Sequence, residues 1–297
     1  MSSSPSTRIL DHIVHLVPPG TLPQAIQRFR DLGFTVNNGG THAGGLTANA
    51  LVIFSDGVYL ELIHFTRELT SDDLTRSPWA NKPPGFIAFA FLGSPGSSPS
   101  ITSIINDRAE ALGIGDELQY LEPTPGGRTR PDGELLKWEI VAPARWAERR
   151  NAIGRPFYCG DVTPRKLRVP LDEDKRVHPN KTCGVAFLRV LASKEAFEEK
   201  SKEIQAALGV PPVTANAIDG KLERAWVLES PYESEATGAR LAGSRLILAA
   251  ANLDDADEVR FVEENGTGVF EVGFAIEAGG GNKETRTPYA KIAWVKV

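Results

Sequence analysis

The 297-residue chain is poor in sulfur, with two cysteines and one methionine. Cys159 and Cys183 are too few for a disulfide framework and lack the Cys-x-x-Cys spacing of a zinc or redox site, which points to a reducing compartment. No run of about 18 apolar residues exists to span a bilayer. The opening Met1-Ser2-Ser3-Ser4-Pro5-Ser6-Thr7-Arg8 lacks the apolar segment of a secretory signal. Basic residues form no block: 33 Lys and Arg stand against 38 Asp and Glu, a formal net charge of -5, which argues against nucleic acid or an anionic membrane as partner. A nucleotide-binding fingerprint is missing as well, since Gly279-Gly280-Gly281 is followed by neither a helix nor the Lys-Ser/Thr of a phosphate loop. The expectation is a soluble, cytoplasmic protein that handles a small neutral or amphipathic molecule, and its 41% hydrophobic content allows a sizeable core.

Two strand-like stretches carry the chemistry, Asp11-His12-Ile13-Val14-His15-Leu16-Val17 and Val58-Tyr59-Leu60-Glu61-Leu62-Ile63-His64-Phe65. Side chains alternate across a strand, so His12, Val14 and Leu16 share one face of the first, as Tyr59, Glu61 and Ile63 do in the second. A carboxylate among such neighbours is costly unless a metal, a donor or a proton satisfies it. His12 and Glu61 are therefore the leading candidate catalytic residues. His15 and His64 fall on the opposite faces, where packing against each other or against a helix is expected.

The order of elements recurs. Residues 9–66 read strand, helix, strand, strand, strand: the helix over 21–33 follows Thr21 as cap, a short strand is predicted at 34–36, and 37–45 reads as a turn-rich connection. Residues 85–162 repeat the order with strands at 85–91, 118–121, 135–141 and 156–159 and a helix at 100–112. A third pass has a strand at 183–190, a helix over 193–208, and strands near 223–228, 245–250 and 268–275. The three helices end alike, in Leu32-Gly33, Leu112-Gly113 and Leu208-Gly209. A structural repeat at intervals of roughly 80 to 100 residues follows. Glu271, in Gly268-Val269-Phe270-Glu271-Val272, matches the place of Glu61, and the acidic cluster Asp254, Asp255, Asp257 and Glu258 reads as a solvated turn. The chain divides into a flexible start at 1–7, a domain over 8–180 with units at about 8–66 and 85–162, and an additional C-terminal unit over 181–297.

Asp11-His12 opening the first strand, His42-Ala43-Gly44-Gly45-Leu46-Thr47-Ala48-Asn49 and Tyr59-Leu60-Glu61-Leu62 together resemble the glyoxalase-like group of the vicinal-oxygen-chelate superfamily. Arg128-Thr129-Arg130-Pro131-Asp132-Gly133 with Trp138, then Pro156-Phe157 and His178-Pro179-Asn180, are in keeping with it, so the resemblance covers residues 8–190. It implies an α+β fold in which βαβββ units form an open mixed-sheet barrel, with His12 and Glu61 side by side facing its cavity. It also implies a divalent metal bound by residues of both units, to which His12 and Glu61 would contribute. In the second unit Phe86 occupies the place of His12, and residues 157–159 that of a second carboxylate. A metal-free site with Glu61 as base and His12 as its partner therefore stands beside the metal site.

Around that pair, Tyr59, Trp138 and Phe157 suit the lining of an apolar pocket, and His42, Asn49 and His178 are further substrate-binding candidates. The guanidinium groups of Arg128 and Arg130 suit a carboxylate or phosphate. The expected function is a small-molecule enzyme that stabilises an enolate or alkoxide, lyase or isomerase ahead of dioxygenase. The alternative is a non-catalytic protein that binds or sequesters such a molecule. The third unit has no fourth to pair with, which points to a homodimer.

Overall fold

A computed structural model describes residues 4–144, 154–215, 222–232 and 243–297. The first unit comprises β1 (Leu10–Leu16), α1 (Leu22–Asp31), β2 (Asn37–His42), β3 (Thr47–Ile53) and β4 (Tyr59–Phe65). After α2 (Ser71–Arg76), the second comprises β5 (Gly85–Leu92), α3 (Ile101–Ala111), β6 (Thr124–Thr129), β7 (Leu135–Val141) and β8 (Phe157–Asp161). Two short helices, α4 (Arg165–Arg168) and α5 (Glu173–Arg176), lead to β9 (Thr182–Ala192), α6 (Phe197–Leu208), β10 (Thr214–Ala215), β11 (Glu223–Val227) and β12 (Arg245–Ala250). The chain continues through α7 (Ala256–Asn265), β13 (Gly268–Ile276) and β14 (Lys291–Lys296). Among the described residues no helix is long and apolar enough to cross a membrane.

The first eight strands form a barrel in the order β1-β4-β3-β2-β6-β7-β8-β5. Parallel pairing of β1 with β4 sets Val14 beside Glu61 and His12 beside Tyr59, as the alternation of these strands requires. The barrel is closed rather than open, because β2 and β6 meet through two residue pairs, Thr41 with Thr129 and His42 with Arg128. Both strands lie in segments whose glycines read as connections. Those glycines serve close approach instead: a Cβ on Gly39 would stand 1.9 Å from Asn49 Oδ1, and one on Gly126 would stand 2.2 Å from the indole nitrogen of Trp138. The strand expected at 118–121 is absent, that stretch making only an isolated bridge from Tyr120 to Pro143.

The other six strands form a sheet in the order β10-β11-β12-β9-β13-β14. Here β12 runs parallel to β9, as β4 does to β1, and β13 runs antiparallel to β9, as β5 does to β1. β14 is parallel to β13, as β8 is to β5. β13 and β14 are thus the outer strands of a fourth unit that lacks its helix and middle strands. Two expectations change. Glu271 sits on a first strand and does not occupy the place of Glu61, and the partner sought for the third unit is supplied in part by the same chain. The acidic cluster begins α7, with Asp255 accepting hydrogen bonds from the amides of Asp257 and Glu258.

The outer faces of both sheets share one core with α1, α3 and α6, through residues such as Phe29, Phe89, Ile105, Leu188, Ile204 and Leu248. His15 belongs to this layer, edge-on to Phe29 at 5.4 Å and Phe86 at 5.2 Å with Nε2 2.9 Å from Thr287 Oγ1, and burial pushes its pKa down to about 3. The expected helix contact of His15 is therefore present.

Candidate active site

The barrel encloses a cavity of about 630 Å³. Val14, Leu16, Ile63, Ala88, Ala90 and Phe157 belong to the apolar cluster on its inner face. Polar side chains collect around Glu61, which β4 turns inward beside Tyr59 and Ile63.

Asn49 Nδ2, from β3, donates to Glu61 Oε1 at 2.5 Å, and His42 Nε2, from the end of β2, lies 3.4 Å from the same oxygen. His12 Nε2 stands 3.9 Å from Oε2, beyond hydrogen-bond reach. Burial alone would raise the pKa of Glu61, but His42, His12 and Asn49 outweigh it and hold the carboxyl at about 2.

His12 is fixed from behind, its Nδ1 lying 2.7 Å from Asp11 Oδ2. Asp11 is fully buried, which favours the neutral acid, yet Arg165, Arg168 and His12 hold it well below the usual carboxylate range. An ionised carboxylate only accepts, so Nδ1 carries the hydrogen and Nε2 is the nitrogen presented to the cavity. The imidazole stacks on Tyr59 at 4.7 Å, with Phe157 edge-on at 5.3 Å. Arg168 locks this layer in place: it donates to the Tyr59 hydroxyl at 2.7 Å, to Asp11 at 2.8 Å and to Asp161 at 2.6 Å. Arg165 also binds Asp11.

Tyr59, His42, Asn49, Arg128, Trp138 and Phe157 line the cavity together with His12 and Glu61. Arg130 stands apart, paired with Asp132 at 2.7 Å and bonded to the Leu167 carbonyl at 3.3 Å. His178 lies in the outer core against Phe34 and Phe54, where Nδ1 accepts from the Thr35 amide at 2.9 Å and Nε2 donates to the Ile53 carbonyl at 3.0 Å. The residues that sequence reasoning missed are Arg165 and Arg168, together with the rim contributed by Arg67, α2 and Trp79. Nothing in a four-residue charged stretch announces α4 as the support of a histidine some 150 residues upstream.

The donors around Glu61 set what a metal could bind. Beside His12, β5 offers Ala90, while Phe86 faces outward against His15. β8 brings in Phe157 and Cys159, whose thiol burial pushes up to about 12. His12, His42 and Glu61 approach one another, but among the described residues no group of three or more His, Cys, Asp or Glu is placed to hold a metal ion. As placed, these side chains do not fit a metal.

No curated protein matches the sequence. Among solved structures, a hypothetical protein from Staphylococcus aureus is 10% identical with a TM-score of 0.66, the match covering 97% of this chain and 99% of that one. A variant of 4-hydroxymandelate synthase from Streptomyces coelicolor is 11% identical with a TM-score of 0.55, covering 92% and 72%. At such identities the likeness is one of fold. The sequence pattern of the glyoxalase-like domain matches residues 10–205, a span that takes in the whole barrel and every residue described around Glu61. On that match, with the paired βαβββ units that carry it, the chain belongs to the glyoxalase-like domain family of the vicinal-oxygen-chelate superfamily.

Proposed function

We propose that the chain is an isomerase- or lyase-type enzyme that moves a proton on a small molecule held in the barrel cavity. The observation that carries this reading is His12, whose Nδ1 is bound by ionised Asp11 and whose Nε2 faces the cavity 3.9 Å from Glu61. Glu61, held at about 2, is ionised at any physiological pH and is a weak base for that reason. The roles are then the reverse of those expected from sequence: His12 takes the proton and Glu61 is the fixed anion beside it.

When Nε2 removes a proton from the carbon next to a carbonyl, the electron pair of that C–H bond passes into an enolate. The imidazolium so formed lies between two carboxylates. In an α-hydroxy carbonyl compound, passing the hydroxyl proton to the former carbonyl oxygen and returning the proton from His12 to the former carbonyl carbon leaves the carbonyl on the neighbouring carbon and completes an isomerisation. Expulsion of a group from the next carbon, with that group taking the proton from His12, completes an elimination. The apolar walls from Ile63, Trp138 and Phe157 keep water from competing and suit an apolar substrate body.

Deuterium exchange from heavy water into a panel of carbonyl compounds, followed by NMR with and without a chelator, tests this reading. His12→Gln is expected to slow exchange by about a hundredfold or more, and Glu61→Gln to slow it less. Wild-type exchange in His12→Gln would sink the assignment. Tight binding without exchange across the panel would favour sequestration.

A further inference from the structure

We propose that Arg128 is a carboxylate-binding subsite in the cavity wall, so that the ligand is an organic monoanion with an apolar body. The inference rests on reading the cavity as the ligand site, and it names the class of molecule that enters.

The cavity is lined by four arginines, Arg67, Arg76, Arg128 and Arg168. Three already have carboxylates: Arg67 pairs with Asp73 at 2.5 Å, Arg76 with Asp72 at 3.2 Å, and Arg168 with both Asp11 and Asp161. Arg128 is only 4% exposed, yet among the described residues it has no carboxylate partner. Its Nη2 reaches the Arg168 carbonyl at 3.5 Å, the limit of a hydrogen bond, and its Nη1 has no protein partner. Desolvation weakens its hold on the proton, and Glu61 and Tyr59 only partly offset this. A buried guanidinium in this condition is expensive, and an anion brought by the ligand is what relieves it.

Position supports the same conclusion. The β2–β6 pairing sets Arg128 directly opposite His42, whose Nε2 is 3.4 Å from Glu61. One uncommitted cation and one carboxylate therefore share the polar end of the cavity, with apolar wall beside them. A molecule with a single negative charge can meet that guanidinium with its carboxylate while its apolar body lies along the wall. A phosphate dianion would set its second charge against Glu61 with no cation left to meet it. Arg130, committed to Asp132, does not supply that cation.

Isothermal titration of the full chain with phenylacetate, phenylacetamide and phenyl phosphate provides the test. The acid should bind about tenfold or more tightly than the amide, and Arg128→Met should remove that preference while Arg128→Lys keeps part of it. Glu61→Gln and His12→Gln should leave the acid-over-amide order intact, so loss of the catalytic reading and loss of this one are separable. The preference in the unaltered protein stands even if a variant does not fold. Equal binding of acid and amide, no binding of the acid, or the preference surviving in Arg128→Met overturns the proposal. Tighter binding of phenyl phosphate than of phenylacetate overturns the monoanion class.

Discussion

In the barrel, β4 runs parallel to β1 and β5 antiparallel to it; in the second sheet β12 and β13 stand in the same relation to β9. The outer faces of both carry apolar residues against helices. Their other faces differ. Inside the barrel that face holds His12, Asn49, Glu61 and Arg128 around open space. In the second sheet the corresponding face holds Leu191, Ala249 and Phe270, covered by Phe261 and Val262 of α7. Arg189 on that face is neutralised by Glu258 at 2.7 Å, and Glu258 comes from the same helix. Eight strands can wrap round a cavity; six strands with a truncated fourth unit leave a face that a helix fills. The shared pairing scheme therefore specifies architecture, and the inward side chains together with closure specify a site.

Cutting matched ion pairs in the two regions should expose this difference most strongly. Arg168→Met would take from buried Asp11 and half-buried Asp161 one of their two guanidinium partners, leaving Arg165 to both, and would free the Tyr59 hydroxyl, so urea unfolding should show a loss of about 3 kcal/mol. Arg189→Met strands only Glu258, which keeps the Asn252 amide at 2.9 Å, and should cost about 1 kcal/mol. Equal losses would break the comparison.

Acid titration sharpens it next. Glu61 has a folded pKa of about 2, below its ordinary value of 4.5, so its ionised form contributes stability that is fully present above about pH 4.5 and lost as pH falls towards 2. The wild type should lose up to about 3 kcal/mol relative to Glu61→Gln across that window, measured by denaturant unfolding at each pH. A constant difference would mean that Glu61 is not held as described. The smallest effect is expected at the cavity rim. The Arg76–Asp72 pair is largely exposed, and Arg76→Ala should change stability by less than about 0.5 kcal/mol.

What the sequence made legible was local and periodic. Strand alternation placed His12 and Glu61 on inner faces and His15 on an outer one, and the three Leu-Gly stops fall where α1, α3 and α6 end. β2 and β6 were hidden because their glycines signal turns, while here they admit Asn49 and Trp138 against the backbone. α7 was hidden behind its acidic first turn, and β14 lies beyond the last strand expected, at 268–275. The support for His12 is a matter of packing rather than pattern: α4 is a single turn with no amphipathic period to detect. Arg128 was visible as a candidate beside Arg130, but only burial and the ion pairs around them tell the two apart.

The β2–β6 join is the clasp of the hoop. It holds by two residue pairs, whereas β3 and β4 are laced by seven. Unfastening it would part His42 from Arg128 and widen the ring while the separate pairing of β1 with β4 kept His12 and Glu61 on neighbouring strands. A guest held between Arg128 of β6 and His42 of β2 would bridge the clasp itself. It would act as the pin that keeps the hoop fastened, so that loading the cavity and tightening its wall become one event.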